Sequence, residues 1–99
     1  MNFTLEFLPE ASAELECVTG DYEAVEPGLG ARFRREIETA CDDICANPSL
    51  QRVRPGGFRR SNLPGFPYYI SFVQEGELIL VLAVAHASRH PDYWRRRIP

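Results

Sequence analysis

The stretch FPYYISFVQEGELILVLAVAHASRHPDYWRRR, residues 66–97, decides the fold. FPYYISFV and LILVLAVAH are apolar runs rich in β-branched and aromatic residues, the composition of buried strands. QEGE stands between them, and Glu75-Gly76 is the expected two-residue turn of a hairpin. This hairpin is the floor of the core. Its second strand ends in His86, Arg89 and His90, followed by Tyr93, Trp94, Arg95, Arg96 and Arg97, so polar chemistry is delivered at the lip of the stiffest element.

Upstream of the hairpin, Phe58 to Leu63 reads as a short polar strand ended by Pro64-Gly65, and the loop before it is broken by Pro55-Gly56-Gly57. Side chains alternate along a strand, so at most one of Arg59 and Arg60 shares a face with a ligand. Leu29, Phe33, Ile37, Ala40, Cys41 and Ile44 form one face of a helix bounded by Glu26-Pro27-Gly28 and Asn47-Pro48. Ala11, Leu15, Val18, Tyr22 and Val25 mark a preceding helix that opens at Pro9, with Gly20 as its weakest position. Asn2 to Leu8 alternates as a half-buried strand whose partner is expected in Leu78 to Ala85. The order is β-α-α-β-β-β with a short C-terminal segment opened by His90-Pro91. A helical hairpin packed on a mostly antiparallel four-stranded sheet is an α+β layout.

With 99 residues the chain makes one domain, and 44% hydrophobic with 25% charged residues excludes wholesale disorder. MNFTLEFLPE lacks a basic leader, and no run approaches the roughly 20 apolar residues of a membrane span, so a cytoplasmic protein with no membrane partner is expected. Cys17, Cys41 and Cys45 are odd in number, which favours reduced thiols over a disulfide framework. Residues 1–50 carry 11 acids against 3 arginines, a balance of −8, whereas residues 51–99 carry 3 acids against 8 arginines, a balance of +5. The absence of lysine reflects base composition in part, but base composition does not sort charge by position.

His86, Arg89, His90 and Tyr93 are the densest polar cluster. Histidine titrates near neutrality and arginine stabilises charge developing on phosphorus, so the group suits acid/base work on a phosphodiester; the plainer reading is that His86 hydrogen-bonds a backbone carbonyl. Cys41 and Cys45, four apart on a helix, are expected to be packed thiols rather than zinc ligands. No phosphate-binding glycine loop, nucleophile elbow or paired carboxylates occur, and no metal or cofactor is expected. Tyr93, Trp94 and the three arginines after them form a basic-aromatic end suited to phosphates or to an acidic partner, with Trp94 equally suited to the core.

Pro27-Gly28-Leu29-Gly30-Ala31-Arg32-Phe33, together with Phe66-Pro67-Tyr68 and the run from Leu82 through His86 to Trp94, resembles the RelE/ParE superfamily of toxins from type II toxin-antitoxin pairs. The resemblance covers essentially the whole chain and implies a growth inhibitor neutralised by a cognate antitoxin. Ribosome-dependent relatives cleave messenger RNA, and Tyr93 matches their C-terminal tyrosine. Pro67 and Ala87, however, stand where such relatives carry arginine. A missing cation facing a phosphoryl transition state costs roughly 10² to 10³ in rate. The ParE-like, plasmid-stabilisation branch is the nearer resemblance; it implies a binding module that poisons DNA gyrase rather than an enzyme. The target- or partner-binding set implied is Arg59, Arg60, His86, Arg89, Tyr93, Trp94, Arg95, Arg96 and Arg97. For a metal-independent endoribonuclease acting on mRNA at the ribosome, the catalytic set would be His86, Arg89 and Tyr93, and a diverged, non-toxic interaction protein is the third reading.

Overall fold

Phe3, Leu5 and Phe7 alternate with polar residues, and the chain there forms β1 (Thr4–Phe7). The structure is a computed structural model that describes residues 3–99, so the expected start at Asn2 lies outside the described residues. Pro9 opens α1 (Pro9–Val25) at a position that needs no N–H donor, and Gly20 passes through that helix without a break. α2 (Leu29–Ala46), a 3-10 turn at Pro48–Leu50, β2 (Arg59–Asn62), β3 (Tyr68–Glu75), β4 (Leu78–His86) and α3 (Asp92–Arg95) follow. No described helix is long and apolar enough to cross a membrane.

The two long helices meet closely because Gly30 has no side chain: a Cβ there would stand 2.6 Å from the Thr19 carbonyl oxygen. The Glu23 carboxylate of α1 accepts the N–H groups of Gly28 and Gly30 at 3.0 and 3.1 Å. It thereby caps α2, whose N-terminal Gly28 has no side chain to do so. Phe33, Ile37, Ala40 and Ile44 are buried as the α2 periodicity predicts. On α1, by contrast, Val25 at the helix's last residue is 77% exposed although it falls on the expected apolar stripe.

The sheet order is β1-β4-β3-β2, with β1 parallel to β4 and the other pairs antiparallel. β1 does pair within Leu78 to Ala85, in a register running from Thr4↔Leu78 to Phe7↔Val81. The hairpin turn differs from the expected one. Glu75 pairs with Leu78, so Gly76-Glu77 is the turn, and Gly76 supplies its positive φ of 61° at the first central position.

One irregularity in β4 reorganises the sheet. Ser71 pairs with Ala83 but Phe72 pairs with Val81, leaving Leu82 as an extra residue, a β-bulge. Strict alternation from Ile79 and Val81 would put Ala83 and Ala85 under the helices. The bulge instead puts Val84 with Ile79 and Val81 in the helix-facing core, while Leu82, Ala83 and Ala85 join Phe58, Tyr69, Val73 and Trp94 in a second core on the opposite face. The C-terminal segment closes that second face. Trp94 is 1% exposed and donates its indole N–H to the Tyr69 hydroxyl at 2.9 Å.

Candidate functional site

His86 shares the face of Val84, two residues before it, and so points toward α1 only because of the bulge. There a groove of about 170 Å³ is lined by Glu14, Cys17 and Val18 of α1, Tyr68, Val84 and His86 of the sheet, and Arg89 and Tyr93 of the C-terminal segment. His86, Arg89 and Tyr93 thus come together, as the sequence suggested. His90 does not: it is exposed beside Asp92, with its Nδ1 3.4 Å from the carboxylate.

The ring of His86 stands edge-on to Tyr68, its cross-strand neighbour, with centroids 5.0 Å apart. Its Nδ1 accepts the Ser88 backbone N–H at 3.1 Å and lies 2.8 Å from the Ser88 hydroxyl. The expected carbonyl partner is therefore a backbone N–H instead. Accepting that bond requires a lone pair on Nδ1, so the neutral ring carries its proton on Nε2. The Arg89 guanidinium lies 3.6 Å over the Tyr93 ring, and that of Arg97 lies 5.5 Å from its centroid. Burial, reinforced by the charge of Glu14, raises the Tyr93 phenol above its ordinary value, although Arg89 and Arg97 pull the other way.

Glu14, which lines the groove, is paired with Arg97. Arg97 donates from both Nη atoms to the two Glu14 oxygens, at 3.1 and 3.2 Å, and from Nη1 to the Leu82 carbonyl at 2.9 Å. Glu14 also accepts the Val84 N–H at 3.2 Å. β1 stops pairing at Val81, so this ion pair satisfies the backbone groups that the bulge frees. Sequence reading missed Glu14. Its place three residues after Ala11 and four before Val18, on the inward stripe, was the available signal.

The remaining members of the candidate binding set lie apart. Arg60 stacks 3.8 Å over the Tyr69 ring and bonds the Asn62 side chain. Arg59 projects from the other face and donates to the Gln51 carbonyl, holding the loop before β2. Arg95 and Arg96 are exposed on α3 and just after it, with Arg95 beside Asp92. Two members are not open to a partner in this conformation: Trp94 is packed in the second core, and Arg97 is committed to Glu14. Cys41 and Cys45 are free and half-buried; burial, then the neighbouring Cys45, Asp42 and Glu38, pushes the Cys41 thiol up to about 12. Among the described residues no cluster of three or more metal-ligating side chains is found.

Compared with known proteins, residues 5–91 match the family model described as the ParE toxin of type II toxin-antitoxin system, parDE. The chain belongs to the ParE toxin family. A search of the curated proteins found no match. Among solved structures, a chain of the chromosomal ParDE TA system from P. aeruginosa superposes with a TM-score of 0.76 at 19% identity, covering 87% of this chain and 97% of that one. The ParE fold is thereby shared: one strand, two helices, then three strands, in the order β-α-α-β-β-β.

Proposed function

We propose that this ParE-family toxin arrests growth by binding and poisoning DNA gyrase, and that a cognate antitoxin neutralises it by covering the groove at the end of β4. The observation carrying this reading is the pairing of Pro67 with Ala87 at the hairpin end beside the groove. His86 has its Nδ1 engaged by the Ser88 N–H and hydroxyl, and burial raises the Tyr93 phenol above its ordinary value. Pro67 and Ala87, the two positions without the arginines of ribonuclease relatives, are neighbours across the hairpin end, where the Ala87 N–H donates to the Pro67 carbonyl at 2.8 Å. A target-binding module needs a rigid, cation-rimmed surface and no proton transfer. Arg89 stacked on Tyr93 beside a braced strand end provides that.

The ribonuclease reading keeps one observation in its favour, the convergence of His86, Arg89 and Tyr93 on one groove. Inducible expression in a sensitive bacterial host, with growth, DNA double-strand breaks and transcript integrity followed in the same cultures, separates the two. Growth arrest with DNA breaks and intact transcripts is expected. Transcript cleavage lost on Tyr93→Phe or Arg89→Ala would establish the ribonuclease instead. Normal growth with soluble protein would mark a non-toxic interaction protein.

A further inference from the structure

A second positive surface lies on the opposite face of the sheet. Arg54 bridges backbone to backbone with Phe58, its N–H donating to the Phe58 carbonyl at 2.7 Å, which extends the sheet past β2 by one short hairpin. Arg54 therefore shares a face with Phe58, and Arg60, two residues after Phe58, points the same way. Beneath them run the edge-packed rings of Phe58 and Trp94, centroids 4.8 Å apart, and of Tyr69 and Trp94 at 6.2 Å. Arg60 lies 3.8 Å over Tyr69, and Arg95 stands 5.6 Å from the Phe58 centroid.

Arg52 sits two residues before Arg54 and is exposed. Burial, and then the positive charges of Arg52 and Arg60, push the Arg54 guanidinium below its usual value. Among the described residues no carboxylate lies within ion-pair distance of Arg52, Arg54 or Arg60. The fold holds three cations together and leaves their compensation to something outside the chain.

We propose that Arg52, Arg54 and Arg60 form a phosphate-binding ridge that grips the backbone of duplex DNA. Guanidiniums gathered at one edge of the sheet suit the successive phosphates of a nucleic acid. The choice of duplex over single strand follows from the aromatic residues. Single-stranded binding uses exposed rings on which unpaired bases stack, whereas Phe58, Tyr69 and Trp94 are 4%, 2% and 1% exposed. The ridge therefore presents charge without a stacking platform, which reads phosphates and no bases. It is a separate surface from the His86 groove, and the proposal does not depend on which target the toxin poisons.

Fluorescence anisotropy of the purified full chain with a labelled duplex of about 20 base pairs, titrated between about 50 and 200 mM salt, tests it. Saturable binding is expected, with a log–log salt slope of about −2.7 for three phosphate contacts at about 0.9 each. Arg52→Glu with Arg54→Glu, checked for an unchanged melting temperature, should weaken binding by about tenfold or more and flatten the slope toward about −0.9. Arg60→Lys should retain most of the salt dependence. Three results overturn the proposal: no saturable wild-type binding at the lowest salt, an unaltered affinity in the folded double variant, or tighter wild-type binding of single-stranded RNA of equal length. The first and third need no variant, so a folding failure does not shelter the idea.

Discussion

The two faces of the sheet are packed by different means. On one face, two long helices bury a cluster without a charged member: Phe33, Ile37, Ile70, Phe72, Ile79 and Val81. Tyr22, Phe66 and Tyr68 surround Phe33 there with ring centroids within 5.4 Å of it. On the other face, a single short helix and the residues around it cover Tyr69, Ala83 and Ala85 with one indole, and guanidinium groups lie on the aromatic rings at its rim. The helix face holds the fold by apolar area. The C-terminal face is a thinner cover that displays cations, and the two are joined at the bulge by Glu14 and Arg97. Separating them lets charge crowd on one surface without disturbing the packing of the other.

That contrast makes graded predictions. Phe33→Ala on the helix face should cost about 3–5 kcal/mol in a urea melt, through lost burial and the cavity left behind. Arg97→Ala should cost about 2–3 kcal/mol, because it strands the Glu14 carboxylate and the Leu82 carbonyl at the bulge. An Arg97 loss as large as that of Phe33 would mean that the ion pair, not the apolar cluster, holds the two layers together. Trp94→Phe keeps an aromatic ring but removes the bond to the Tyr69 hydroxyl, so about 1–2 kcal/mol should be lost.

Cys41 adds a pH test confined to the helix side. Its folded value, about 12, lies above the ordinary 9.0, so the folded chain holds that proton more tightly than the unfolded chain. Its contribution to stability is fully present below pH 9 and is lost as pH rises toward about 12. Cys41→Ser should flatten stability over that window, read by thermal melts across the alkaline range. The smallest effect belongs to the exposed Arg34–Glu16 pair, 2.8 Å apart with side chains 38% and 67% exposed. Arg34→Ala should change stability by about 0.5 kcal/mol or less, and a larger change would show that α1 and α2 depend on surface charge.

Much of the fold was legible residue by residue. Alternation at Phe3, Leu5 and Phe7 marked β1, a three-and-four spacing marked the buried face of α2, and the apolar hairpin named the partner of β1. The grouping of His86, Arg89 and Tyr93 was also legible, because the three lie within eight residues at a strand end. The hairpin turn was misplaced by one residue because Glu75-Gly76 and Gly76-Glu77 both put glycine in a turn; the cross-strand register decides between them.

The sequence by itself determined the order of elements, the buried face of α2 and the gathering of arginines in the second half, since each is written in local periodicity or local composition. The tertiary structure alone decided which way His86 points, which acid meets Arg97 and that Trp94 is buried. Those facts turn on the extra residue at Leu82 and on contacts between residues as far apart as Glu14 and Arg97. An uninterrupted apolar run carries no mark of where a bulge falls, because Val81, Leu82, Ala83 and Val84 are all buried, on one face or the other.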